Sequence, residues 1–178
     1  MVFVAEEECL DVGFGAAQAR LANLIHGGAL VAFSADSYEQ GVTGLAGMGP
    51  LGSAPGAFKL VEVQFGELAV RGDSARLPLR WHATGPGGVL FPALDADLVL
   101  TAMGEGATIL SLEGAYRAPL GKAGAALDRA VLERVATVTI RAFTRRVADA
   151  IVHPAAAHAP GRERPSLFPW QPPEPQTA

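Results

Sequence analysis

From Phe58 to Arg117 apolar and polar residues alternate with a period of two, and from about Ala123 to Ile151 the period becomes that of a helix. This change of period constrains the fold more than any other feature. Strands with one apolar face and a single amphipathic helix each have a surface to hide, and the simplest solution is for one to cover the other. "KLVEVQF" places Val61, Val63 and Phe65 on one face and Leu60, Glu62 and Gln64 on the other. "ELAV" and "ARLPLRWHAT" flank "RGDS", which has the residues of a tight turn. In the second of these strands Leu77, Leu79, Trp81 and Ala83 share a face, opposite Arg76, Pro78, Arg80 and His82. Pro78 lacks a backbone donor and so predicts an edge or a bulge. "ALDADLVLTAM" sets Leu94, Ala96, Leu98 and Leu100 against Asp95, Asp97, Val99 and Thr101, and "ATILSLEGAYR" closes the series. These are antiparallel hairpins, each burying one face.

The helix that follows has an apolar arc of Val131, Leu132, Val135, Ala136, Val138, Ala142, Phe143 and Val147. Glu133, Arg134, Thr137, Arg141 and Thr144 fall on the opposite arc. Thr139 is the exception, a hydroxyl between Ala136 and Ala142 near the centre of the apolar side. Ahead of the hairpins, "VFVAEEECLDV" reads as a strand with its acids on an exposed edge. "GFGAAQARLANLI" reads as a helix ended by Gly27-Gly28, and "ALVAFSADSYEQ" as a second short helix. "GVTGLAGMGPLGSAPGAF" reads as irregular, and the Pro-rich residues 153–178 as a disordered tail. The expectation is one domain over residues 1–152, followed by that tail.

Charge and cysteine content narrow the function classes. Of 178 residues 49% are hydrophobic and 18% charged, enough for a sizeable core. A net charge of -4 gives no basic footprint for nucleic acid. The single cysteine, Cys9, excludes an internal disulfide and a cysteine metal cluster. "MVFVAEEECL" has glutamates where a secretory signal needs a basic start, and no apolar run approaches the roughly 20 residues of a membrane span. These features predict a soluble, cytoplasmic protein and leave its oligomeric state open.

Several motifs fail on inspection. "EGAYRAPLGKAGAALDRA" resembles a phosphate-binding loop, with a strand, a glycine turn holding Gly121-Lys122, and a helix. The first required glycine is Tyr116, the metal-binding hydroxyl position is Ala123, and Pro119 removes a backbone donor. It is a strand-to-helix turn. "GFGAAQA" has Gln18 in place of the third glycine of a dinucleotide fingerprint. His26, His82, His153 and His158 show no metal-ligand spacing, and no nucleophilic triad can be assembled. Arg76 and Arg80 are expected to pair with the aspartates of the neighbouring strand, Asp95 and Asp97, across the exposed sheet face. Glu113 shares its face with Ile109 and Ser111 and is expected in solvent. No cofactor is called for.

The order of these elements resembles the helix-grip fold of the START/Bet v 1 superfamily, the SRPBCC or polyketide cyclase/dehydrase-like group. The likeness runs from about Val2 to Ile151, and it is carried by "RWHATGPGGVLFPALDADL" and "GAYRAPLGKAGAALDRAVLERVATVTIRAF". The nearest likeness is to bacterial members with no assigned activity. The resemblance implies an α+β protein whose curved antiparallel sheet wraps a long C-terminal helix, with two short helices after the first strand. It also implies an apolar cavity between sheet and helix for a lipid, polyketide or aromatic compound. No catalytic set carries over. The expected lining is Phe65, Trp81, Leu98 and Leu112 from the sheet, with Val135, Thr139, Ala142 and Phe143 from the helix. Binding of a hydrophobic small molecule is the leading expectation. An aromatase/cyclase-like enzyme comes second, and would require His26, Glu113 or Tyr116 to turn inward. An interaction module with a filled cavity comes third, with "LFPW" docking a partner.

Overall fold

A computed structural model describes residues 2–46, 61–83, 93–117 and 129–154. The elements are β1 (Val2–Leu10), α1 (Phe14–His26), α2 (Ala29–Ala46), β2 (Val61–Phe65), β3 (Ala69–Arg71), β4 (Ser74–Ala83), β5 (Ala93–Ala102), β6 (Thr108–Arg117) and α3 (Arg129–Val152). The strands form one open, six-stranded antiparallel sheet in the order β1-β6-β5-β4-β2, with β3 also paired to β4. With three helices this is an α+β architecture, consistent with the helix-grip expectation.

The alternation expected from the sequence is the one observed. Leu77, Leu79 and Trp81 of β4, Leu94, Leu98 and Leu100 of β5, and Leu110, Leu112 and Tyr116 of β6 are all buried on one face. The other face carries the expected pairing of arginines with aspartates, which the register resolves as Arg76–Asp97 and Arg80–Asp95, each at 3.1 Å, and Arg117 joins Asp95. "RGDS" is the β3–β4 turn, with Arg71 opposite Ser74 and Gly72 at φ 54°, a conformation that only glycine adopts cheaply. Pro78 marks a break rather than an edge. It lies opposite the gap between β2 and β3, where the Gly66 N–H donates to its carbonyl at 2.8 Å. In an antiparallel ladder the N and C=O of one residue point the same way, so the missing donor faces the interruption.

Three expectations need correction. The second helix is longer than "ALVAFSADSYEQ" and runs 18 residues to Ala46, through Gly41 and Gly44. Each glycine costs about 1 kcal/mol in a helix interior, and packing of α2 against α3 and β2 offsets that cost.

The apolar arc of α3 has a different phase. Ala136, Thr139, Ile140, Phe143, Thr144, Val147, Ala148 and Ile151 are its buried stripe. Val138, assigned to the core, is 51% exposed, and Ala142 is only half-buried. Thr144, assigned to solvent, is fully buried.

The acids of β1 do not all face water. Glu6 and Glu8 share the inward alternation of Val2, Val4 and Leu10, and they meet Arg141 at 2.9 Å and Arg145 at 3.3 Å. Asp36–Arg146 at 3.2 Å ties α2 to the same helix, and Arg20 of α1 donates to the Ile151 carbonyl at 2.6 Å. A cation at that helix end also suits the helix dipole.

Helix α3 is described from Arg129 and runs 24 residues. The expected start at Ala123, the Gly121-Lys122 turn and residues 155–178 lie outside the described residues.

Candidate functional site

Reading across the sheet in register shows where its inward surface stands high and where it stands low. One row runs Val63–Trp81–Leu94–Tyr116–Val2 and is tall, with the two aromatic rings flanking Leu94. The next runs Phe65–Leu79–Ala96–Gly114–Val4. Its centre carries one methyl group and nothing else. The row beyond is Leu77–Leu98–Leu112–Glu6, again tall. The inward surface of the sheet therefore dips at Ala96 and Gly114, between an aromatic wall and a leucine wall. Gly114 is required there, because a Cβ would stand 2.5 Å from the Asp95 carbonyl oxygen and 2.7 Å from Ala96 Cα.

The C-terminal helix faces this surface. Phe143 meets Trp81 edge-on, with ring centroids 5.0 Å apart and planes at 84°, a favoured arrangement for aromatic pairs. Ala136, Thr139 and Ile140 continue the stripe toward the start of α3. Of the expected lining, Trp81, Leu98, Leu112, Thr139 and Phe143 are buried, and Trp81 and Phe143 are in contact. Phe65 is half-buried at the end of β2, and Ala142 sits at the rim of the stripe. The side chain of Val135 lies outside the described residues.

The polar content of the interior is distinctive. The buried polar residues among those described are all serines and threonines: Ser34, Ser37, Thr108, Ser111, Thr139 and Thr144. Thr108 donates to the Val12 carbonyl at 2.7 Å. Ser34, Ser37 and Thr144, together with the indole N–H of Trp81, have no hydrogen-bond partner among the described residues. Leaving a buried donor unpaired costs about 1–3 kcal/mol, so four such groups are a substantial debt unless something meets them. Ser34 and Ser37 sit one and two turns after buried Leu30, on the face α2 turns inward. Thr144 follows Phe143, whose ring touches Trp81.

These three hydroxyls were missed from sequence. The signal for Ser34 and Ser37 was available, since they follow Leu30 at helical spacing. Thr144 could be found only with the helix phase centred on Ile140 and Phe143.

The histidine and the glutamate named for catalysis are outside. His26 and Glu113 are exposed, His26 Nδ1 lying 2.7 Å from the Ala22 carbonyl. His82 approaches Glu62 at 3.4 Å on the outward face. Tyr116 alone of the three residues named for an enzyme faces inward, fully buried. No group of three or more metal-ligating side chains occurs among the described residues, and no helix there is long and apolar enough to cross a membrane.

No protein-family model and no curated protein matches the chain. Among solved structures it is similar to the protein TTHA0849 from Thermus thermophilus, with 12% identity, 84% of this chain and 99% of that one covered, and a TM-score of 0.33. It is also similar to the Zhui aromatase/cyclase from Streptomyces sp. R1128, with 13% identity, coverage of 84% and 95%, and a TM-score of 0.27. Overlap this slight carries no inference about activity.

Proposed function

We propose that this protein binds an uncharged, largely apolar small molecule between the sheet and α3, over the dip at Ala96 and Gly114, in a helix-grip arrangement of the SRPBCC kind. The observation that carries the reading is the Trp81 indole N–H, fully buried and without a partner among the described residues. An indole nitrogen can only donate. A ligand oxygen offered to it would remove its desolvation cost, with Thr144, Ser34 and Ser37 able to donate or accept beside it. Ligand pockets of this kind are mostly apolar with a few placed polar groups. The buried polar side chains here are uncharged, which favours a lipid, polyketide or aromatic compound over an ion.

The second reading is an aromatase/cyclase-like enzyme, favoured by the inward phenol of Tyr116. Acid–base catalysis needs convergent ionisable groups, and His26 and Glu113 face away, so binding is the stronger reading. Native mass spectrometry of protein purified from its own cells tests it. The expected result is a non-covalent adduct of a few hundred daltons, lost on denaturation. A bare polypeptide mass under every growth condition would count against it.

A further inference from the structure

Val4 ends the low row of the sheet, opposite Gly114, and shares the inward alternation of Val2 and Glu6. A cavity of about 380 Å³ lies there, between β1 and α3. Its lining includes Val2, Val4 and Glu6 from the strand, with Glu133, Thr137 and Ile140 from the helix. The three helix residues follow one another on a single face. Exposure falls along them, since Glu133 and Thr137 are exposed and Ile140 is buried. The cavity is therefore apolar where it adjoins the dip and polar at its outer end.

The polar side chains at that outer end offer a ligand only acceptors. Ionised Glu6 and Glu133 have no proton to give. Thr137 has committed its own, because its hydroxyl donates to the Glu133 carbonyl at 2.8 Å and keeps only lone pairs for a ligand. No basic side chain lines the cavity among the described residues, and Arg141 is engaged by Glu6 at 2.9 Å. The peptide edge of β1 presents donors and acceptors alike, so it does not discriminate. Trp81 is the reverse case, an indole N–H that can only donate and has no partner among the described residues. Its strand, β4, stands three strand spacings from β1, roughly 14 Å across the sheet.

We infer that the ligand is elongated and ends in a hydroxyl at the β1–α3 cavity, and that Glu133 and Glu6 select against ligands ending in a carboxylate. The inference rests on the apolar-ligand reading above and names the chemical class within it. One end of the molecule carries an acceptor oxygen for Trp81, and the other carries a donor for the carboxylates at the mouth. A fatty-acid anion would instead set its charge against two carboxylates with no lining cation to meet it. Like charges brought together at a binding surface are a strong means of rejecting a wrong partner.

Three aliphatic methyl ketones of one chain length, long enough to span that distance, test this. One ends in a methyl group, one in a primary alcohol and one in a carboxylate. Affinities are read from Trp81 emission in the full chain carrying Trp170→Phe. The alcohol should bind roughly fivefold more tightly than the methyl-ended ketone, the worth of one added hydrogen bond, and the carboxylate more weakly than either. Glu133→Gln, at an exposed position, should raise affinity for the carboxylate about fivefold and leave that for the methyl-ended ketone unchanged. If the methyl-ended ketone binds but the carboxylate binds as tightly as the alcohol, or gains nothing from Glu133→Gln, this inference is overturned and the ligand reading stands. Failure of all three compounds to bind would overturn the ligand reading itself, and this inference with it.

Discussion

The rings of Trp81 and Phe143 join the sheet to the C-terminal helix, one from the fourth strand and one from the middle of α3, with centroids 5.0 Å apart. Both residues are fully buried. If this contact closes one end of the space over Ala96 and Gly114, Phe143→Ala should lower stability by about 3–5 kcal/mol, as for other buried phenylalanines. Phe143→Leu should cost less, about 1 kcal/mol. Urea denaturation followed by circular dichroism measures both. A loss below about 1 kcal/mol for Phe143→Ala would mean that the rings do not support the fold.

Thr144→Val replaces a buried hydroxyl, which has no hydrogen-bond partner among the described residues, with a methyl group of the same shape. In protein stripped of ligand it should raise stability by up to about 1 kcal/mol, because it removes an unmet donor without opening a hole. Ser37→Ala should be close to neutral in the same preparation. If Thr144→Val instead costs more than about 1 kcal/mol, the hydroxyl has a protein partner and does not belong to a ligand site.

Gly114→Ala should be among the most damaging single substitutions. Its methyl would be driven against the Asp95 carbonyl and the backbone of Ala96, neither of which can swing aside as a flexible side chain would. Loss of soluble protein, or a drop of several kcal/mol, is expected. A variant with the parent's thermal midpoint would show that β5 and β6 do not approach as closely as described.

The Glu6–Arg141 pair couples β1 to α3 from a partly sheltered position, the Glu6 side chain being 18% exposed and that of Arg141 49%. A double-mutant cycle with Glu6→Gln and Arg141→Gln should give a coupling of about 0.5–1 kcal/mol, falling as salt is added. Zero coupling at low salt would mean that the pair does not hold the helix to the strand.

The sheet was legible in the sequence because strand burial has a period of two, and one misplaced residue would put Leu77, Leu79 and Trp81 in water. The "RGDS" turn fixed one hairpin for the same reason, through the backbone conformation of Gly72. The helix phase was not legible. Val131, Val135 and Val138 pull an apolar count toward one side, while the buried stripe follows Ala136, Ile140, Phe143 and Val147. Alanine and threonine carry too little hydrophobic signal to reset that phase. Glu6 and Glu8 read as solvent-facing because their partners, Arg141 and Arg145, lie near the other end of the chain and come alongside only in the fold. The candidate site was therefore half visible. Its aromatic and leucine walls followed from alternation, whereas the dip at Gly114 and the hydroxyls of Ser34, Ser37 and Thr144 depend on register and helix phase.

An uncharged apolar ligand between the sheet and α3, with an oxygen directed at Trp81, should report its arrival through that residue. Trp81 emission, read in a Trp170→Phe background, measures this directly. Titration with a neutral aromatic ketone should give a saturable change at micromolar concentration, roughly 8 kcal/mol of binding free energy. The matching hydrocarbon should bind more weakly by about tenfold, the worth of one buried hydrogen bond. Ala136→Phe, which fills space on the buried face of α3, should abolish the response at a stability cost of about 1–3 kcal/mol. An emission that is unchanged by either compound, or a response that Ala136→Phe leaves intact, would contradict the account.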